Sequence, residues 1–116
     1  MERDPVNEIA PPEVDPTEVE ARVLAVLKTC YDPEIPVDIY ELGLIYGIEV
    51  DPTGLVDVTM TLTSPGCPVA GSLPGEVQEK VRAIEGVREA RVHLVWEPMW
   101  TKDMMSDAAK LTLGFL

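Results

Sequence analysis

Cys67 stands in Ser64-Pro65-Gly66-Cys67-Pro68, between a run that alternates like a strand and one that repeats like a helix. A thiol at a helix N-terminus lies near unpaired amide protons and the positive end of the helix dipole. Both favour thiolate, which is the metal ligand and the nucleophile. Gly66 lets the backbone approach a bound group, and the flanking prolines limit loop motion. The competing reading is a small buried apolar residue, the usual fate of a free cysteine. Thr61 and Thr63 are two residues apart and so share a strand face; with Ser64 they offer hydroxyls to a cluster sulfide or an anionic ligand. Ordinary β-propensity explains Thr61 equally well when it is taken alone. Asp32 and Glu34 are carboxylates on the proline-stiffened stretch Asp32-Pro33-Glu34-Ile35-Pro36, able to bind a hard cation or orient iron. The alternative is a solvated turn that ends a helix.

The remaining residues exclude other chemistries. There is no CxxC and one histidine, His93, so neither a zinc finger nor a self-contained cluster cage can be built. No base is positioned to activate Cys67 for hydrolysis, no Ser/His/Asp set exists, and no nucleotide-binding glycine pattern is present. His93 reads as a surface or satisfied strand histidine. Cys30 falls on an apolar helical stripe and reads as core, Trp96 and Trp100 as packing residues, and the Met104-Met105 pair as core or a partner-facing surface. The formal charge of −12 is uneven: residues 1–52 carry 13 acids against 3 bases, residues 53–116 carry 8 against 6. Such a surface repels nucleic acid and anionic membranes and leaves cations and basic protein surfaces open. No apolar run reaches the ~20 residues of a membrane span. Residues 1–16 contain no apolar signal core. The expected location is the cytoplasm, where thiols stay reduced.

At 116 residues the chain has room for one core. Residues 1–16 read as an acidic, flexible tail and residues 17–116 as a single domain. Asp15-Pro16-Thr17-Glu18 is a helix start, and Val19, Val23, Val26, Leu27 and Cys30 give a stripe over about 17–29. Leu44, Tyr46, Ile48 and Val50 alternate with Ile45, Gly47, Glu49 and Asp51 as a strand. Asp51-Pro52-Thr53-Gly54 is turn chemistry, and Val56, Val58, Met60 and Leu62 make the second arm of a hairpin. Val69, Leu73, Val77, Val81 and Ile84 predict a helix that stops at Gly86, with Pro74-Gly75 either kinking it or restarting it. Ala90 to Trp96 is a third strand. A last helix opens at Thr101 or Asp103 and carries Met104, Met105, Ala108 and Leu111. The order α-β-β-α-β-α, with a crossover favouring parallel second and third strands, makes a two-layer α/β sandwich: a small mixed three-stranded sheet covered by helices.

Four blocks carry a resemblance: Asp32-Pro33-Glu34-Ile35, Glu41 to Tyr46, Met60 to Pro68, and Val95 to Thr101. Together, in order and with similar gaps over residues 17–113, the chain resembles the SufT-like metal–sulfur cluster biosynthesis family, whose relatives include the phenylacetate-degradation PaaD proteins. The resemblance implies an iron–sulfur assembly domain that matures other proteins rather than an enzyme. It places the family's cysteine on Cys67, its hydroxyl pair on Thr63 and Ser64, and its acidic loop on Asp32 and Glu34. Pro74-Gly75 departs from the family pattern. Common clusters take four protein ligands, so one thiol cannot hold one alone. Transient binding of a cluster or of iron is therefore expected to be shared with a client cysteine, a small thiol, nearby carboxylates or a second copy in a homodimer. The expected partners are SUF-type assembly proteins and apo iron–sulfur clients. The rival expectation is a metal-free adaptor for maturing a multicomponent oxygenase.

Overall fold

The computed structural model of the chain describes residues 14–31, 35–63 and 73–115. Helix α1, Pro16–Leu27, begins where the sequence places it: the Asp15 carboxylate accepts from the Thr17 amide at 3.0 Å, and Pro16 occupies the first turn, where its missing N–H is not needed. Just before it, the Val14 amide donates to the Pro52 carbonyl at 2.8 Å. Residues 1–13 of the expected tail lie outside the described residues. Val19, Val23 and Leu27 form the buried stripe, and Cys30, just past the helix, is fully buried with them. Fully burying each such side chain contributes about 1.5–3 kcal/mol.

Strands β1, Ile45–Val50, and β2, Leu55–Met60, pair antiparallel, and β3, Glu89–Leu94, joins β2 in parallel, giving the order β1-β2-β3. This is the expected mixed sheet. The hairpin turn is held by Asp51, whose carboxylate accepts from the Thr53 hydroxyl and from the amides of Thr53 and Leu55. The β1 alternation is broken, however. Ile45 faces Met60 and Ile48 faces Val58, which leaves an extra residue on β1 that the pairing absorbs as a bulge between Ile45 and Gly47. Tyr46 therefore does not share the core face of Ile48 and Val50, because both Ile45 and Ile48 must reach the core opposite successive inward residues of β2.

Helix α2, Leu73–Arg82, buries Leu73, Val77 and Val81 against the sheet, next to β3 and α1. Pro74 falls in its first turn, and the part of the expected helix before Leu73 lies outside the described residues. The C-terminal reading needs correction. Lys102–Met104 form one 3-10 turn, and helix α3, Asp107–Leu113, starts afresh with the Ser106 hydroxyl accepting from the Ala109 amide at 3.1 Å. Ser106 offers a better N-cap than Thr101, which makes no side-chain cap bond, so Met104 and Met105 precede the helix. Ala109 is buried instead of Ala108, and Leu111 is 67% exposed. Among the described residues no helix is long and apolar enough to cross a membrane.

Candidate functional site

The helix-covered face of the sheet is a closed apolar core of Val56, Val58, Met60, Leu27, Val77 and their neighbours. On the other face Asp57, Thr59, Glu49, Arg91 and His93 meet solvent along the middle of the strands. His93 Nε2 lies 2.7 Å from Asp57 Oδ1, so the histidine is satisfied at the surface. Toward the C-terminal end of β2 this second face becomes covered. The residues after β3 fold back over it and interlock with residues 41–46.

Four contacts make that interlock. The Trp100 indole donates to the Leu42 carbonyl at 2.8 Å, and the Ser106 amide to the Glu41 carbonyl at 2.9 Å. The Ser106 hydroxyl donates to the Glu41 carboxylate, and the Tyr46 hydroxyl to the Pro98 carbonyl at 2.8 Å. Gly43 lets the two segments approach. Its φ is +83°, and a Cβ there would collide with the backbone carbonyl of Met104. Two of the four sequence blocks, Glu41 to Tyr46 and Val95 to Thr101, are thus opposite halves of one clamp.

Thr61 sits beneath it. Its amide continues the sheet by donating to the Leu44 carbonyl at 2.8 Å, and the residue is only 1% exposed. Its hydroxyl has no hydrogen-bond partner among the described residues. The Tyr46 phenol is beside it but is turned to Pro98 and to the Met104 sulfur. Burial raises the Tyr46 pKa, with the adjacent Thr61 hydroxyl opposing the shift. An unmet buried hydroxyl costs about 1–3 kcal/mol, a cost that strand propensity alone does not account for. Neither the Tyr46 bulge nor this burial leaves a signal in the local pattern.

Thr63, two residues on, is half-buried and lines a pocket of ≈ 390 Å³. Ile35 and Pro36, from the acidic stretch, line the same pocket, with Leu42, Trp100 and Met105. The structure therefore brings together the described flanks of both candidate segments. Cys67, Ser64, Asp32 and Glu34 themselves lie outside the described residues. Cys30 takes no part: it is fully buried, its Sγ donates to the Val26 carbonyl at 3.6 Å, and burial pushes its thiol pKa up. Trp100 packs as expected, whereas Trp96 is 40% exposed, since it leaves the sheet beyond the last helix-covered position. Among the described residues no three His, Cys, Asp or Glu side chains are grouped to hold a metal ion.

Residues 20–94 match the family described as "Iron-sulfur cluster assembly protein". The chain belongs to that family. Within it, the chain is 50% identical over 99 residues to an "Fe-S protein maturation auxiliary factor" of Porphyromonas gingivalis, covering 85% of this chain and 94% of that protein. It is 46% identical over 83 residues to the "Fe-S protein maturation auxiliary factor SufT" of Staphylococcus aureus, covering 72% and 94%. The resemblance is thus to SufT-like proteins. A crystal structure of a domain of unknown function from Bacillus anthracis superposes with a TM-score of 0.81 at 38% identity, covering 87% of this chain and 96% of that one. The family match and the relatives' names place the protein in iron–sulfur protein maturation.

Proposed function

We propose that this protein binds an iron–sulfur cluster, iron or a client polypeptide transiently through Cys67 and assists its passage to apo-proteins in a reducing cytoplasm. The observation that carries this reading is the shared pocket: Thr63 and Ile35, which flank the two candidate segments, line one cavity. Glu34 is bonded directly to Ile35. Four peptide units separate Cys67 from Thr63, a reach of at most about 14 Å. The two segments that carry the thiol and the carboxylates of Asp32 and Glu34 therefore join the described structure at residues of one cavity.

Cys67 supplies one thiolate, and the hydroxyls of Thr61, Thr63 and Ser64 supply hydrogen bonds to an anionic cargo. Thr61 suits that role, since its buried hydroxyl is without a described partner. One thiolate is a quarter of a common cluster's ligands. The others come from the client, from an assembly protein or from a second copy, and hand-over is an exchange of ligands that leaves no bound group behind. The chain acts as a carrier or adaptor and not as a catalyst.

Anaerobic reconstitution with iron and sulfide tests this directly. The wild type is expected to develop visible charge-transfer bands, and Cys67→Ser to lose them with unchanged thermal stability. Native-state alkylation is the companion measurement. Cys30 is buried with a raised pKa and stays unlabelled, so uptake of one label per chain, abolished in Cys67→Ser, reports a reachable Cys67. Wild type without bands but with Cys67-dependent client binding would replace cluster handling by a metal-free adaptor role.

A further inference from the structure

The pocket beside Thr63 has an unusual rim. Its walls are apolar (Ile35, Leu42, Trp100, Met105, Leu113), yet Lys102 stands at its mouth, and Lys102, Asp103 and Lys110 line the adjoining ≈ 260 Å³ hollow. The chain has only four lysines against 21 acids. Two of the four are here, Lys102 at both hollows and Lys110 at the second beside Asp103, and neither lysine forms an ion pair with a carboxylate among the described residues. By contrast Arg22, Lys80, Arg82 and Arg91 each do. A local excess of positive charge beside an apolar hollow selects a ligand that carries both an apolar group and an anion.

The chain itself places an aromatic residue there. Gly114, at φ +85°, turns the chain back after α3, and the Phe115 amide donates to the Lys110 carbonyl at 2.7 Å. Phe115 lines both hollows, with the Lys102 ammonium 4.7 Å from its ring centre. At 50% exposure it fills neither. Such a half-seated side chain is readily displaced by a better fit.

We propose that this pocket docks a partner polypeptide segment presenting an aromatic or branched apolar side chain next to an Asp or Glu carboxylate, with Phe115 as the intramolecular occupant it displaces. The apolar side chain enters between Leu42, Trp100 and Met105, and the carboxylate meets Lys102 and Lys110. The proposal deepens the maturation reading: a segment held here lies beside Thr63, the described residue that precedes the candidate thiol segment. It rests on that reading only for the partner's identity as a client.

The test uses the full chain and an acetylated, amidated peptide of sequence Gly-Phe-Glu-Gly, followed by the NMR shift of the Trp100 indole proton. Saturable shifts are expected. Phe115→Ala is expected to tighten binding roughly fivefold by removing the competitor. Lys102→Glu with Lys110→Glu weakens it roughly tenfold, and glutamine in place of the peptide's glutamate roughly threefold. No Trp100 shift at millimolar peptide in the Phe115→Ala chain overturns the proposal. Binding indifferent to the lysines and to the peptide carboxylate does so as well. Repeating the titration in Cys67→Ser separates the two readings: docking persists there, whatever the outcome of reconstitution.

Discussion

The two ends of β2 are built differently. At its start the polar groups find partners within the turn: Asp51 accepts three hydrogen bonds, and Arg88 reaches the Thr53 carbonyl and hydroxyl at 3.2 and 3.1 Å. At its end a buried hydroxyl is unmet among the described residues, and an apolar pocket stands open beside it. Of the seven large apolar side chains exposed among the described residues, five (Leu94, Trp96, Met99, Leu111, Phe115) lie between the last position of β3 and the C-terminus, the stretch that folds back to this end. Saturated polar groups hold a hairpin in register and do nothing more. Unsaturated groups cost stability and persist where something outside the chain completes them. Under the proposed function, the turn end serves structure and the clamp end serves the cargo.

The strongest way to break the contrast is Gly43→Ala. The added Cβ would lie 2.8 Å from the Met104 carbonyl carbon, at a positive φ that alanine tolerates poorly. Overpacking and the left-handed backbone together are expected to destabilise by about 3 kcal/mol. The loss shows as a lowered denaturation midpoint with altered Trp100 fluorescence. A variant as stable as wild type would mean that the clamp is not rigid.

Thr61→Val sharpens the contrast in the opposite direction. Replacing an unpartnered buried hydroxyl with a methyl of the same shape is expected to stabilise by about 1 kcal/mol. Client maturation is expected to fall at the same time, because the hydroxyl lost is the one the proposed function assigns to cargo. Such a trade of stability against function marks a site residue. A more stable Thr61→Val chain with full maturation activity would return Thr61 to the role of strand former.

What the sequence makes legible divides along the same line. The Asp15 cap, the α1 stripe, the Asp51 turn and the hairpin partners follow from residues within a few positions of one another, and local physics suffices for them. The bulge at Tyr46, the fresh start of α3 at Ser106 and the burial of Thr61 depend on contacts between residues 41–46 and 98–106. Those contacts, between residues 52 to 65 apart in the chain, have no signature in hydrophobic period. Strand alternation puts Thr61 and Thr63 on one face, yet nothing in it marks Thr61 as buried or Thr63 as the wall of a pocket shared with Ile35, Trp100 and Met105. The sequence blocks around Gly43 and Trp100 are visible as motifs. Their mutual contact is not. The roles proposed for Cys67, Ser64, Asp32 and Glu34 rest on residue chemistry and family resemblance alone, and the proposed thiol experiments are their test.

The smallest expected effect belongs to the turn end. The Thr53 hydroxyl, the Leu55 and Thr53 amides and the charge of Arg88 favour the Asp51 carboxylate and hold its pKa below the ordinary value. A group whose folded pKa is depressed adds stability above its unfolded pKa, about 3.9 for Asp, and loses it as pH falls through the folded value. The wild type should therefore exceed Asp51→Asn in thermal midpoint by a constant margin near neutrality. That margin should shrink as the pH drops below about 4 and disappear once it has passed the depressed folded pKa, where both side chains are neutral. Maturation activity should match in the two chains, since the turn is remote from the clamp. An activity defect in Asp51→Asn at unchanged stability would mean that the two ends of β2 communicate, and the division of labour drawn between them would fail.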